Sequence, residues 1–525
     1  MSVARASVIM IVTLVASRFL GWLRLSVIGA QYAGDPAELD AFWAAFRIPD
    51  TLFNLLVAGA LASAFIPVFA GYLAKEREEE GWHVASSFMN TMLVALVAFS
   101  AVMWLLAPLL VPAMVYGFTP DQQALTVDLT RVMLLSPIFM GLSSLLTGIL
   151  QSYRQFLASA ISPLVYNAVI ILFALFAGPF LGITALAWGV VAGALMMFLV
   201  QVPELTFRRT RYTLSLDIRH PGVREIVSLA IPRSIALLAV QAVFIVDTVL
   251  ASGMTRGSLT ALQYAFQLLL LPMGVFSIAI SAAVFPALSR YASLGQEMRL
   301  RLALQQAIRW ILFLTVPTAI VMIVLRRPIV HLLFQYGEFG PPFREAVAAA
   351  FLMYSLGLVG HALVQILARA YYATKDTQTP LALTLISIGI NIVLAVILAP
   401  VMGINGLALA NAVATVAEAV LLFTLLAERA RLRLTGIGFA MMKVLAASFA
   451  MGIAMYLFIR ATNVTVDLEQ TKLGLFVQTA IATAVGGAVY LVLSRALAST
   501  ELAEIVAVVR ERLGRGGGSG SASPA

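Results

Sequence analysis

Fourteen stretches of about 20 mostly apolar residues, joined by short polar loops, constrain this 525-residue chain more than any other feature. A helix rises about 1.5 Å per residue, so each stretch matches the hydrocarbon thickness of a bilayer, roughly 30 Å. In lipid a backbone must satisfy its own hydrogen bonds, which a helix does within one segment. The expected spans lie near 7–30, 42–73, 85–113, 126–152, 157–177, 182–205, 225–252, 259–287, 308–335, 345–370, 379–399, 404–427, 438–459 and 474–494. Hydrophobic residues make up 61% of the chain and charged ones 11%, which excludes a soluble domain of this length. The fold class is an all-α polytopic membrane protein with 14 transmembrane helices.

Loop charge orients it. With a cytoplasmic N-terminus, Arg208, Arg209, Arg211, Arg219 and Arg224 share one inside loop, and Arg290, Arg299 and Arg301 another. Outside loops are neutral or acidic, as at Asp35, Glu38 and Asp40. This is the positive-inside pattern, and it places both termini in the cytoplasm. The formal charge of +9 therefore reflects topology and not a nucleic-acid partner. The first apolar stretch lacks a cleavage site and is expected to be retained as a span. No cysteine is present, and four scattered histidines offer no metal spacing. Nothing resembles a catalytic triad or a Walker A loop, so neither enzymatic activity nor a cofactor is expected.

The chain repeats itself at an offset of roughly 220 residues. Ala45-Phe46-Arg47 matches Ala265-Phe266-Gln267, and Ala64-Phe65-Ile66-Pro67 matches Ala283-Val284-Phe285-Pro286. Gly182-Ile183-Thr184-Ala185-Leu186-Ala187 matches Gly403-Ile404-Asn405-Gly406-Leu407-Ala408. Six spans per repeat is even, so the copies share one orientation: two parallel six-helix repeats. The expected organisation is an N-lobe over 1–206, a C-lobe over 207–430, two extra helices over 431–498, and a cytoplasmic amphipathic segment with a low-complexity tail over 499–525.

Charges inside spans are costly and mark function. Arg18 and Arg24 lie on the first span, about 120° apart around the helix, and Arg47 precedes Ile48-Pro49 in the second. Proline there frees a carbonyl and interrupts the helix, which is tolerated where a cavity is lined. A guanidinium is a planar fork of donors suited to phosphate oxygens, so three of them point to a transporter of negatively charged cargo. The alternative for Arg18 is snorkelling to an interface or an ion pair with Asp40. Arg233, after Pro232, fits either the cavity or the cytoplasmic face. Asp247, deeper in span 7, suits a sodium ion, a proton or an ion pair with an arginine. Asn391 and Thr415 offer neutral oxygens to the same cation, or helix–helix hydrogen bonds. Asp128 and Arg131 read as a local pair, and His331 and His361 as structural residues.

The string Ser17-Arg18-Phe19-Leu20-Gly21-Trp22-Leu23-Arg24 resembles the opening of the MurJ (MviN) lipid II flippases. So do Asp40-Ala41-Phe42, Ala45-Phe46-Arg47-Ile48-Pro49, Gly59-Ala60 and Ala64-Phe65-Ile66-Pro67. In the second repeat Tyr264-Ala265-Phe266-Gln267, Leu271-Pro272 and Phe285-Pro286-Ala287-Leu288-Ser289 are similar to the same family. The resemblance covers the whole chain and implies membership of the multidrug/oligosaccharidyl-lipid/polysaccharide exporter superfamily. It implies a monomer in the bacterial cytoplasmic membrane that moves lipid II, or a related undecaprenyl-pyrophosphate lipid, from the inner to the outer leaflet by alternating access, with the cell-wall synthesis machinery as partner. Arg18, Arg24 and Arg47 would contact the pyrophosphate and sugar, with Asp40, Arg233 and Gln267 as further contacts. Spans 13 and 14 would form a groove for the lipid tail, and a sodium or proton gradient would reset the cycle. Leu25, Phe53, Asn54 and Gln267 stand where some members carry charged residues, and Asn391 where some carry a carboxylate. The rival cargo is another undecaprenyl-linked glycan. A drug/cation antiporter needs cavity carboxylates where this chain has arginines, and a non-transporting scaffold is the remaining class.

Overall fold

The computed structural model describes residues 3–58, 64–206, 212–430, 434–465, 471–499 and 501–503, and every regular element among them is helical. The early elements are α1 (Val3–Tyr32), α2 (Pro36–Ala45), α3 (Arg47–Phe53), a π-helical turn (Asn54–Ala58) and α4 (Ile66–Ala74). Then come α5 (Glu78–Met114), α6 (Pro120–Met133), α7 (Ser136–Ser152), α8 (Leu157–Leu172), a second π turn (Phe173–Ala177), α9 (Gly178–Leu181), α10 (Thr184–Leu199) and α11 (Val202–Thr206). The chain continues through α12 (Pro221–Ser252), α13 (Ser258–Pro272), a third π turn (Met273–Ile278), α14 (Ala279–Ser293), α15 (Glu297–Val324) and α16 (Arg326–Phe334). It closes with α17 (Pro341–Ala373), α18 (Gln378–Met402), α19 (Ile404–Ala430), α20 (Leu434–Thr465) and α21 (Lys472–Ala496).

Among the described residues, 12 helical segments are long and apolar enough to cross a membrane, from Glu78–Met114 to Lys472–Ala496. They follow the order of the third to fourteenth expected spans, while α1 covers the first and α2 to α4 the second. Span 9 needs correction. Its helix runs Glu297–Val324, and Arg326-Arg327-Pro328 open the separate helix α16. Proline at 328 supplies no amide for the carbonyl of Val324, so the helix stops there and restarts.

Two compact units emerge, and their boundary is not that of the repeats. The first comprises 1–264 with 333–346; the second comprises 265–332 with 347–525. Hydrogen bonds explain why the first unit retains the segment leading into α12. Asn90 on α5 donates to the carbonyls of Thr213 and Ser215 at 3.1 and 2.9 Å, and Tyr212 donates to Asn90 Oδ1 at 2.6 Å. The insert 333–346 is held similarly. The Ser26 hydroxyl donates to the Leu333 carbonyl, and the Glu338 amide to that of Ala30 at 2.8 Å. Gly337 (φ +53°) passes so close to α1 that a Cβ would sit 2.2 Å from the Ala30 oxygen, so only glycine fits.

The first unit's core stacks Phe65 on Phe69 and Phe88, with Trp82 edge-on to Phe69. In the second unit, α15 packs against α20 and α20 against α21. Two buried tyrosine hydroxyls there are satisfied by backbone: Tyr490 donates to the Phe313 carbonyl at 2.7 Å and Tyr371 to that of Leu422 at 3.1 Å. Such pairing matters because an unpaired hydroxyl in apolar surroundings costs about 1–3 kcal/mol. Beyond α21, Glu501 is buried and paired with Arg309, while the rest of the expected amphipathic segment and tail lies outside the described residues.

The repeat is visible in backbone detail. Gly182 and Gly403 end equivalent helices at φ/ψ of +56°/−144° and +57°/−138°. Arg154 and Lys375 are both left-handed, at φ +58° and +63°, as are Glu76 and Gly295. The first and third π turns also stand roughly 220 residues apart.

Candidate functional site

The site lies wholly in the first unit, where α1, α3, α8, α12 and the start of α13 contribute polar side chains. Arg24 is half-buried on α1, its guanidinium 5.9 Å from the centroid of the Tyr166 ring on α8. Its Nε is buried without a hydrogen-bond partner. Tyr166 interacts electrostatically with both Arg24 and Asp50, and Asp50 accepts from Gln241 Nε2 at 3.1 Å. One turn back on α3, Arg47 donates through Nε to the Thr248 hydroxyl at 2.8 Å and through Nη2 to Gln263 Oε1 at 3.4 Å. Its guanidinium also lies 5.4 Å from the Phe244 ring centroid. Asp247, next to Thr248, is buried and interacts electrostatically with Arg47, and its Oδ1 has no hydrogen-bond partner.

Local sequence explains this placement. Pro49 sits in the first turn of α3, where its missing amide costs no helical bond. The π turn that follows re-aims the chain, as such turns often do at functional sites. Tyr264, fully buried, donates to the Leu25 carbonyl at 2.8 Å and thereby fixes the turn of α1 that bears Arg24.

Several buried polar atoms of the first unit lack a partner: Trp22 Nε1, Arg24 Nε and Gln31 Oε1 on α1, Trp43 Nε1 on α2, and Asp247 Oδ1 on α12. Native proteins leave few such groups, and each calls for a polar ligand or water. An arginine N–H is a donor only, so the unmet Arg24 Nε suits an acceptor-rich ligand such as a phosphate.

The other expected site residues divide. Arg18 is exposed and makes no ion pair among the described residues. Asp40 needs correction both as a cargo contact and as a partner of Arg18. It is 2% exposed, and its oxygens accept from the Gly257 amide at 2.7 Å, the Thr260 amide at 2.8 Å and the Thr260 hydroxyl at 2.7 Å. It caps α13 from a distant helix, and burial leaves no surface for a ligand. Arg233 is exposed on α12. Gln267, Asn391 and Thr415 belong to the second unit, whereas Asp247 belongs to the first. Thr415 donates to the Asn411 carbonyl at 2.9 Å, and Asn391 Oδ1 is buried without a partner. His361 is the structural residue expected, 3.1 Å from Asn411 Oδ1. Sequence reasoning missed Asp50, Tyr166, Gln241, Thr248, Gln263 and Tyr264. Of these Asp50 carried a signal, a second charge within the proline-broken span, and Tyr264 opened a motif of the second repeat.

Fold and site together define a class: a polytopic helical transporter with arginines set among its spans. The family model described as "Lipid II flippase MurJ" matches residues 29–476. A Burkholderia cenocepacia protein named lipid II flippase MurJ is 31% identical over 424 residues, covering 79% of this chain and 81% of the relative. A probable lipid II flippase MurJ from Haemophilus influenzae is 31% identical over 476 residues, covering 85% and 91%. The chain belongs to the MurJ lipid II flippase family. Among solved structures, a MurJ flippase in an inward closed conformation shares its fold at a TM-score of 0.77 and 23% identity, covering 93% of this chain and 98% of that one. An inward-facing multidrug transporter of the MOP superfamily follows at 0.66 and 16%, covering 80% and 98%.

Proposed function

We propose that this protein carries lipid II from the inner to the outer leaflet of the bacterial cytoplasmic membrane by alternating access, with Arg24 and Arg47 receiving the pyrophosphate. The observation that carries this reading is the half-buried Arg24, whose Nε has no protein partner and whose guanidinium lies 5.9 Å from the Tyr166 ring. Arg18, exposed on the same helix, meets the cargo ahead of Arg24, and both termini lie in the cytoplasm. Depleting the resident lipid II flippase of a tractable bacterium and expressing this chain tests the reading. Rescue from lysis is expected; lysis despite normal membrane levels, together with turnover of a different undecaprenyl-linked glycan by the purified protein, would reassign the cargo.

Ion coupling is assigned to Asp247. A buried carboxylate with an unpartnered oxygen needs a cation or a proton. Asp247→Ala should abolish any dependence of turnover on a sodium or proton gradient in proteoliposomes. Gradient-dependent turnover of parental size in that variant would remove Asp247 from the coupling step.

A further inference from the structure

The second unit carries a half-open cavity of about 1030 Å³ at the ends of α14, α15, α17 and α19, and its lining includes Arg290, Arg301 and Lys375. Its floor is apolar, with Leu304, Tyr371 and Leu426 each buried. None of these residues takes part in the arginine cluster of the first unit.

Two observations point to an anionic ligand. The acid in the lining, Glu297, is 79% exposed and is engaged by Arg301 at 3.1 Å, whereas Arg290 and Lys375 have no ion pair among the described residues. Arg301 also keeps a buried Nε without a hydrogen-bond partner, an unmet donor beside the cavity.

We propose that this cavity binds the headgroup of an anionic phospholipid, with Arg290, Arg301 and Lys375 around the phosphate and the first acyl carbons over the apolar floor. Basic pockets between spanning helices recognise such headgroups, and the volume suits a small amphiphile. A free phosphate and the cargo's pyrophosphate share this chemistry, but only a phospholipid uses the floor without needing the arginines of the first unit. The site goes beyond the flippase reading and stands if the cargo proves to be another lipid-linked glycan.

The test uses the full chain in phosphatidylcholine nanodiscs doped with phosphatidylglycerol, with lipid retention read by native mass spectrometry. The parent should retain phosphatidylglycerol, and Arg290→Gln with Lys375→Gln should weaken retention about tenfold or more, since two surface cations are lost. The charge-preserving pair Arg290→Lys with Lys375→Arg should keep retention, as should Arg47→Ala. If the glutamine pair fails to fold, a salt titration of the parent decides: retention should fall as salt rises. Unchanged retention in a folded glutamine pair, or salt-insensitive retention in the parent, overturns the site. Loss in Arg47→Ala alone moves the lipid to the arginine cluster. Inorganic phosphate competing as well as phosphatidylglycerol would replace the lipid by a soluble anion and overturn the proposal.

Discussion

Arg24→Ala is expected to abolish rescue of flippase-depleted cells while the variant reaches the membrane at the parental level. The two halves of this outcome follow from one geometry. Arg24 Nε has no protein partner, and the contact recorded for its guanidinium is the Tyr166 ring at 5.9 Å. Truncation therefore strands no buried acceptor, and the fold should lose little. The cargo loses a charge-assisted, bidentate contact worth about 3 kcal/mol, or roughly a hundredfold in transport at limiting substrate. Arg24→Lys should recover only part of this, because an ammonium is a point charge without the guanidinium fork. Full rescue by lysine would show that charge alone suffices, and full rescue by alanine would remove Arg24 from the cargo path.

The legible part of this molecule is what lipid imposes on sequence. Apolar length marks a span whatever it packs against, which is why the ends of α18, α19 and α21 fall within a few residues of expectation. The error at span 9 arose because apolar content continues through the break at Pro328, and hydropathy does not register a lost amide. Partners across long separations were not legible. Arg131, read as the mate of Asp128, instead lies 4.5 Å from the Trp104 ring and donates to the Trp104 carbonyl at 3.4 Å. Thr248 and Gln263 look like ordinary span residues until folding brings them to Arg47. The unit boundary was hidden for the same reason. Duplication divides a chain by ancestry, while packing divides it by contacts such as Ser26 with Leu333 and Ala30 with Glu338.

Asp40→Ala should also destroy activity, but through the fold. The carboxylate is 2% exposed and accepts three hydrogen bonds from Gly257 and Thr260, two of them from amides at the start of α13. Those amides belong to the first turn of a helix and have no intrahelical acceptor. Without the carboxylate they stay buried and unmet, at a cost of about 1–3 kcal/mol each, to which the interaction of the charge with the helix N-terminus adds about 0.5 kcal/mol. A loss of about 3 kcal/mol or more is therefore expected, read as a lower melting temperature and reduced membrane level. Asp40→Asn tests the mechanism more sharply. It keeps the shape but turns one acceptor oxygen into a donor facing an N–H group, so it should destabilise nearly as much as alanine. Since α13 carries Gln263 and Tyr264, loosening its start also frees the partners that hold Arg47 and the α1 turn bearing Arg24. Transport should thus fall in step with folded protein for Asp40 variants, and fall without loss of protein for Arg24 variants. An Asp40→Ala protein that melts like the parent yet fails to transport would return Asp40 to the cargo contacts.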